Sequence, residues 1–353
     1  MNTTSAGPSL SVVITNWNYG RFVAQAIDSA LGLDWPAVEV IVVDDGSTDD
    51  SRAVISRYGE RITAILQENA GQGGASNVGF ARATGDVVIF LDADDLLAPS
   101  VGKEIAAVWG PGVSKVQFQM QIVDADGKPT GAKLPQFPTV PSPEEIRRWA
   151  SRAAAYPTPP GSGNAYARWF LQRLFPIEDP RTSPDSCFLA AAPHLGDVVT
   201  VAKPLVSYRV HGNNDGAMLT LNAERLGKEV RRAQWRFAYA QRMARTVGVS
   251  IPDAAFRNSL ATLPYRLASL RFASDSHPIT DDTLAAIVVD TVQAAFVPQG
   301  RSASSVAALV AWTILVALLP HRASKQLALW RFASPSRPKA LQRAMTLLRV
   351  VSR

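Results

Sequence analysis

A single cysteine, Cys187, stands among 353 residues, which excludes an internal disulfide framework and any zinc site built on cysteine thiolates. Four histidines leave little for a histidine-rich metal centre. Residues Met1 to Pro8 carry neither a basic nor an apolar segment, so no secretory signal is expected there and a cytoplasmic start is. No internal repeat is visible. No apolar run reaches the roughly 20 residues that a spanning helix needs. The nearest approach is the charge-free stretch Ala303 to Pro320, with its almost wholly apolar core from Val306 to Leu319, and a re-entrant or interfacial helix is expected there instead.

What is present suffices for a packed core: 47% hydrophobic and 19% charged residues, with a mean hydropathy of +0.02 that is high for a freely soluble chain. The length predicts about two domains. The net charge of +6 belongs to one end. From His321 onward the chain carries Arg322, Lys325, Arg331, Arg337, Lys339, Arg343, Arg349 and Arg353 and no acid. Interleaved with leucines and aromatics, these cations suit anionic lipid. A buried core helix followed by a solvated basic tail is the plain alternative. No nucleic-acid motif accompanies the charge, and no nucleic-acid partner is expected.

From the N-terminus, short apolar runs of strand length alternate with helical spacing. Ser11–Thr15, Val38–Val43, Ile62–Leu66 and Asp86–Leu91 read as strands. Helices are expected between them, the first carried by Phe22, Ala26, Ile27, Ala30 and Leu31. This order predicts βαβ units and a parallel sheet, whose ligands bind beyond the carboxyl ends of the strands. Three strands run there into polar residues: Thr15-Asn16-Trp17-Asn18, Asp44-Asp45-Gly46-Ser47 and Asp92-Ala93-Asp94-Asp95. Between Gly127 and Pro160 proline is dense, predicting a loop-rich connection around one helix from Pro143 to Ala155. A long basic amphipathic helix is expected from Leu221 to Val247, and further helices from Ile251 to Val297.

Asp92, Asp94 and Asp95 at a strand's end form a hard-oxygen set suited to Mg²⁺ or Mn²⁺, an ion able to stabilise a departing diphosphate. An acidic turn that merely ends the strand is the bland alternative. The second acidic strand end, Asp44-Asp45 in the same sheet, weighs toward the site.

Four ordered segments, SVVITNWNYGRFVAQAIDSAL, VEVIVVDDGSTDDS, NAGQGGASNVGFARATGDVVIFLDADD and YRVHGN, together resemble the family 2 glycosyltransferases of GT-A fold. The resemblance spans roughly residues 10 to 215. It implies an α/β, Rossmann-like, mainly parallel sheet flanked by helices and followed by an α-helical C-terminal region. The chain then divides into a short N-terminal segment (1–9), the GT-A domain (10–220), a helical region (221–300) and a membrane-associated helix and tail (301–353). By the same resemblance Thr15, Asn16 and Trp17 pack along the nucleotide and Asp45 accepts from its base. Gly73 and Gly74 approach its backbone, Asp92 faces the ribose, and Asp94 with His211 binds the metal or diphosphate. Ala75-Ser76-Asn77 departs from the family's Ala-Arg-Asn, which removes a basic contact.

Inverting transfer needs a carboxylate to take the acceptor hydroxyl's proton, which the family carries as Glu-Asp at a helix start. Glu178-Asp179 matches literally but lies among prolines. Asp185 lacks the preceding Glu yet opens an apolar helix 26 residues before His211, and is the preferred base. The run Pro160 to Asn164 is a further acceptor contact to examine.

The resulting expectation is an inverting glycosyltransferase dependent on Mn²⁺ or Mg²⁺. It would use a nucleotide-diphospho-sugar, UDP-linked by family prior, and a lipid-linked or cell-envelope glycan as acceptor, peripherally at the cytoplasmic face of a membrane. Processive synthesis is disfavoured, since no Gln-x-x-Arg-Trp motif occurs. The rival is a catalytically inactive membrane scaffold or glycan-binding protein.

Overall fold

The computed structural model describes residues 7–36, 38–179, 183–211, 222–333 and 338. Residues 1–6, Gly212 and Asn213 of the YRVHGN motif, the expected boundary at 220, and Arg337, Lys339, Arg343, Arg349 and Arg353 of the basic tail lie outside them.

In chain order the first elements are β1 (Leu10–Asn16), α1 (Gly20–Leu31), β2 (Val38–Asp45), α2 (Ser51–Ser56), β3 (Thr63–Gln67), α3 (Gly71–Arg82), β4 (Val87–Asp92), β5 (Leu96–Leu97), α4 (Val101–Ala106), β6 (Val113–Val123) and β7 (Pro129–Leu134). There follow α5 (Pro143–Ala153), β8 (Asn164–Ala167), α6 (Arg168–Leu171), α7 (Pro184–Leu195) and β9 (Asp197–Arg209). The helices α8 (Ala223–Arg245), α9 (Ala254–Arg257), α10 (Leu263–Phe272), α11 (Leu284–Ala294), α12 (Ala303–Leu318) and α13 (His321–Phe332) complete the order. They form two units, one of residues 1–135 and 158–211, the other of 136–157 and 212–353.

The first unit is a nine-stranded sheet of order β3-β2-β1-β4-β8-β6-β9-β5, with β7 added on β6. The strands β3, β2, β1 and β4 are parallel; the continuous apolar runs of β1, β2 and β4 suit strands buried on both faces, whereas edge strand β3 is partly exposed on both. Beyond β4 the sheet turns mixed: β8 is antiparallel to β4 and β6, while β6 and β9 pair in parallel. The chain leaves edge strand β3 and re-enters beside β1 as β4, and this reversal of strand order opens a crevice at the strands' carboxyl ends. Register brings the polar ends into it, with Asn16 opposite Asp44 and Thr15 opposite Asp92. Part of the proline-rich region expected as loop is strand: Pro129–Leu134 pairs with β6 as an exposed edge hairpin.

Helix α1 buries Phe22, Ala26, Ile27 and Ala30 as its spacing predicts, with Val23 besides, while Leu31 is only partly buried. Helix α3 lies so close to the sheet that a Cβ on Gly79 would stand 2.4 Å from Val13 Cγ1. Gly79→Ala is therefore expected to destabilise this unit by about 1–3 kcal/mol, as overpacking against a central strand does. A melting temperature equal to that of the wild type would refute the close packing.

The second unit is helical. Helix α5 starts with a capping box between Ser142 and Glu145 and has proline in its first turn. Leu260, Leu263, Leu267, Ile287, Leu309 and Val316 form the core of α10, α11 and α12 and the chain around them. Within it a buried Arg266 pairs with Asp282 (Nε to Oδ2 3.0 Å) and Asp290 (3.1 Å). Helix α12 turns Ser305, Leu309, Thr313 and Val316 inward. Among the described residues no helix is long and apolar enough to cross a membrane.

Candidate active site

At the end of β1, buried Asn16 donates from Nδ2 to Asp44 Oδ2 (2.9 Å) and Ser47 Oγ (3.1 Å). Thr15 is half-buried, and Trp17 is 54% exposed at the crevice. Burial alone would raise the Asp44 carboxyl, but hydrogen bonds from Arg52, Ser47 and Asn16 outweigh it and hold it below its ordinary value. Asp45 is a junction between β2 and α3. Its Oδ1 accepts from Gln67 Nε2 (2.6 Å) and Ala70 N (2.8 Å), and its Oδ2 from Gly71 N (2.9 Å). Gly46 follows at φ +78°, where a Cβ would lie 2.7 Å from Asn69 N, so the turn requires glycine. Gly73 and Gly74 are buried in the first turns of α3. In the departing Ala75-Ser76-Asn77 segment, Asn77 clamps the chain ahead of α7, accepting from Ile177 N (2.7 Å) and donating to Ile177 O (3.2 Å).

At the end of β4 the carboxylates of Asp92, Asp94 and Asp95 each offer an oxygen within 4.8 Å of the others. Burial, then the charges of Asp95, Asp94 and Asp185, pushes Asp92 well above its ordinary value. Burial and Asp94 push Asp95 up to about 8. Asp95 Oδ2 is buried with no hydrogen-bond partner. His211 reaches in from the residues after β9, with Nε2 2.9 Å from Asp94 Oδ2. An orphaned buried carboxylate oxygen amid three crowded acids and one imidazole fits a hard divalent cation, which relieves the repulsion that otherwise drives protons onto the cluster.

Asp185 occupies the first turn of α7, behind Pro184 and the N-cap Ser183. It does not cap its own helix: its Oδ2 accepts from Gly161 N across the cleft at 2.6 Å. Burial raises its carboxyl, against the hydrogen bond from Gly161 and the charge of Lys115. Gly161 is where the two acidic groups converge. A Cβ there would lie 3.0 Å from Asp92 Oδ2 and 3.3 Å from Asp185 Oδ2. Glu178 and Asp179 lie exposed between α6 and α7. In the 160–164 run, Asn164 is buried and donates to the carbonyls of Pro159, Pro160 and Gly161, so it shapes its own loop.

Sequence reasoning gave three residues here no role of their own, although Gly161 falls within the 160–164 run. Lys115, fully buried in β6, donates to Gln117 Oε1 (3.0 Å) and Thr158 Oγ1 (2.7 Å), behind the loop that meets Asp185. Arg209 lies under the Asp94-Asp95 turn, and Gly161 lies between the carboxylates. Lysine inside an apolar strand run, and arginine inside the YRVHGN motif, were the available signals.

Residues 11–175 match the family described as "Glycosyl transferase family 2". An uncharacterized glycosyltransferase of Nostoc sp., alr2836, is 40% identical over 214 residues, covering 58% of this chain and 66% of that one. The succinoglycan biosynthesis protein ExoO of Rhizobium meliloti is 32% identical over 145 residues, covering 38% and 41%. The chain thus spans under two thirds of these relatives. Among solved structures, S. aureus TarS 1–349 in complex with UDP-GlcNAc has the same fold, with TM-score 0.54 at 16% identity over 92% of this chain and 90% of that one.

Proposed function

The chain belongs to glycosyltransferase family 2, and from that premise we propose that it moves a sugar, with inversion, from a nucleotide-diphospho-sugar to an acceptor hydroxyl. The observation that carries the proposal is the convergence of Asp185 and Asp92 on the one residue without a side chain, Gly161, beside the Asp94–His211 pair. The nucleotide lies along Thr15, Asn16 and Trp17, with Asp45 and the Gly73-Gly74 turn around it and Asp92 toward the ribose. TarS, captured with UDP-GlcNAc on the same fold, supports a donor of this class.

Asp94 and His211, with the carboxylates beside them, would hold Mn²⁺ or Mg²⁺, which when bound supplies positive charge for a departing diphosphate. The chain's own groups do the rest. The Asp185 carboxylate takes the proton of the acceptor hydroxyl while that oxygen bonds to the anomeric carbon. The bond from that carbon to the diphosphate breaks, and the nucleoside diphosphate leaves with the electron pair. The test is nucleoside-diphosphate release from UDP-, GDP- and dTDP-sugars in Mn²⁺ or EDTA, with membrane extract as acceptor source. Release from one donor, lost in EDTA, is expected. No release from any donor would favour an inactive scaffold or glycan-binding protein.

The second unit supports a peripheral place on an anionic membrane, where a lipid-linked or envelope glycan acceptor is met. Phe296 (83% exposed), Leu318 (79%), Val289, Val292 and Leu315 stand out from α11, α12 and the link between them. Phe296 also lines a groove of about 670 Å³ with Val297, Val306, Val310 and Ile314. No acid follows Asp290 in the sequence, and Arg322 and Lys325 are exposed on α13. Burying two such side chains in lipid is worth about 1.5–3 kcal/mol each. Phe296→Glu combined with Leu318→Glu should therefore weaken sedimentation with phosphatidylglycerol vesicles at least tenfold. Equal binding to neutral and anionic vesicles, unchanged by the substitutions, would refute this placement. Loss of a solution dimer in the same variant would assign the face to a second copy of the chain.

A further inference from the structure

Arg209 is nearly fully buried at the end of β9, and its planar guanidinium reaches three separate pieces of the first unit. Its Nε donates to the carbonyl of Asp94 (2.9 Å), one terminal nitrogen to the carbonyl of Ala125 in the β6–β7 hairpin (3.0 Å), and the other to Gln25 Oε1 on α1 (2.7 Å). Its backbone N–H donates to Asp95 Oδ1 (3.0 Å). The guanidinium also lies 4.9 Å from the centre of the Phe22 ring, and that ring stacks on His211 at 5.2 Å. Thus one residue grips the main chain of Asp94, the carboxylate of Asp95 and, through Phe22, the face of His211. The Asp95 contact belongs to the backbone and any residue keeps it; the others need a rigid fork with fixed donor directions, whereas a lysine ammonium has one point to offer.

We propose that Arg209 is the positioning residue of the divalent-cation site, holding Asp94, Asp95 and His211 in ligand geometry from behind. This rests on the metal reading given above. Ligands held by such outer partners typically lose 10–100-fold in metal affinity when the partner is changed.

Two effects oppose each other at this position, and they have opposite signs. Arg209 carries a positive charge close to a cation site, so removing the charge alone would tighten cation binding. Removing the fork loosens the ligands and weakens binding. Arg209→Lys keeps the charge and removes the fork, and so isolates geometry. Arg209→Met removes both.

The experiment is titration of the full chain with Mn²⁺ alone, read by the electron-paramagnetic-resonance signal of free Mn²⁺, well below each variant's melting temperature. A role confined to stability would lower melting temperature and leave the affinity of the folded chain unchanged. The expected result is a loss of about 10–100-fold in Mn²⁺ affinity for Arg209→Lys and for Arg209→Met, and a smaller loss for Gln25→Ala, which frees only one donor and leaves the site's own residues in place. Gln25→Ala keeps the test decisive should the arginine variants fail to fold. Wild-type affinity in Arg209→Lys, or in Gln25→Ala when only that variant folds, overturns the inference while the metal reading stands, and tighter binding in Arg209→Met assigns the residue an electrostatic effect only. Absence of Mn²⁺ binding by the wild-type chain overturns the metal reading itself, and this inference with it.

Discussion

Asp185→Asn is expected to abolish sugar transfer, lowering kcat by about 10²–10⁴-fold, the range a general base contributes, with donor affinity within about twofold of the wild type. Asparagine keeps the shape and can still accept the hydrogen bond from Gly161 N, but it cannot take a proton. Two further variants sharpen the result. Asp179→Asn alters an exposed carboxylate in the chain between α6 and α7, and its turnover should stay within about twofold; collapse of activity there would transfer the base to Asp179. Lys115→Met acts through charge. The working form of Asp185 is the carboxylate, so the rate rises with pH as the group deprotonates. Because burial raises its pKa, the acid limb of kcat/KM should fall above the ordinary aspartate value of about 3.9. Lys115 pulls that limb down, so removing its amine should move the limb to higher pH. A limb at the ordinary value would refute the buried-base assignment; one that Lys115→Met leaves in place would show that burial, which pushes the Lys115 amine well below its ordinary value, has stripped it of its charge.

Asp94→Ala should be nearly as damaging, reducing nucleoside-diphosphate release by about 10³-fold through the several kcal/mol of charge stabilisation that a bound cation supplies. Asp94 is the acid that the imidazole of His211 meets at 2.9 Å, and on the proposed reading its loss removes a ligand of the cation. His211→Ala leaves three carboxylates in place and should cost less, about 10–100-fold by the measure of a weakened metal site. Excess Mn²⁺ should partly restore His211→Ala and leave Asp94→Ala inactive. Full activity of Asp94→Ala in EDTA would exclude a cation from the reaction.

Strands β1, β2 and β4 of the parallel half were legible because burial on both faces leaves an unbroken apolar signature, and their register then follows from the polar residues that end each run. Val12–Ile14 and Val40–Val43 could hardly lie elsewhere. The mixed half was much less legible. Strand β6 carries Lys115 and Gln117, both fully buried, and polar residues interrupt the periodicity that marks a strand. Strand β9 runs 13 residues, but only Val198–Val201 stands out, since Lys203 and Pro204 break the pattern. The β7 hairpin was hidden by Pro129 and Gly131, which signal turns and are tolerated in an exposed edge strand. Asp92, Asp94 and His211 were reachable through motifs, whereas Gly161 and Arg209 act through proximity across 24 to 184 residues of chain, which no local spacing encodes.

Helix α12 keeps two of its three hydroxyl side chains, Ser305 and Thr313, on the buried side, leaves Ser304 exposed in its first turn, and presents hydrocarbon over the rest of its outer face. This inverts the usual consequence of surface engineering. Outer-face changes such as Leu318→Gln touch no core partner and would be favoured by any selection for yield, clarity at high concentration or crystal growth. A campaign to obtain a better-behaved sample would thereby enrich chains stripped of whatever that face holds, with no sign of the loss in their folding.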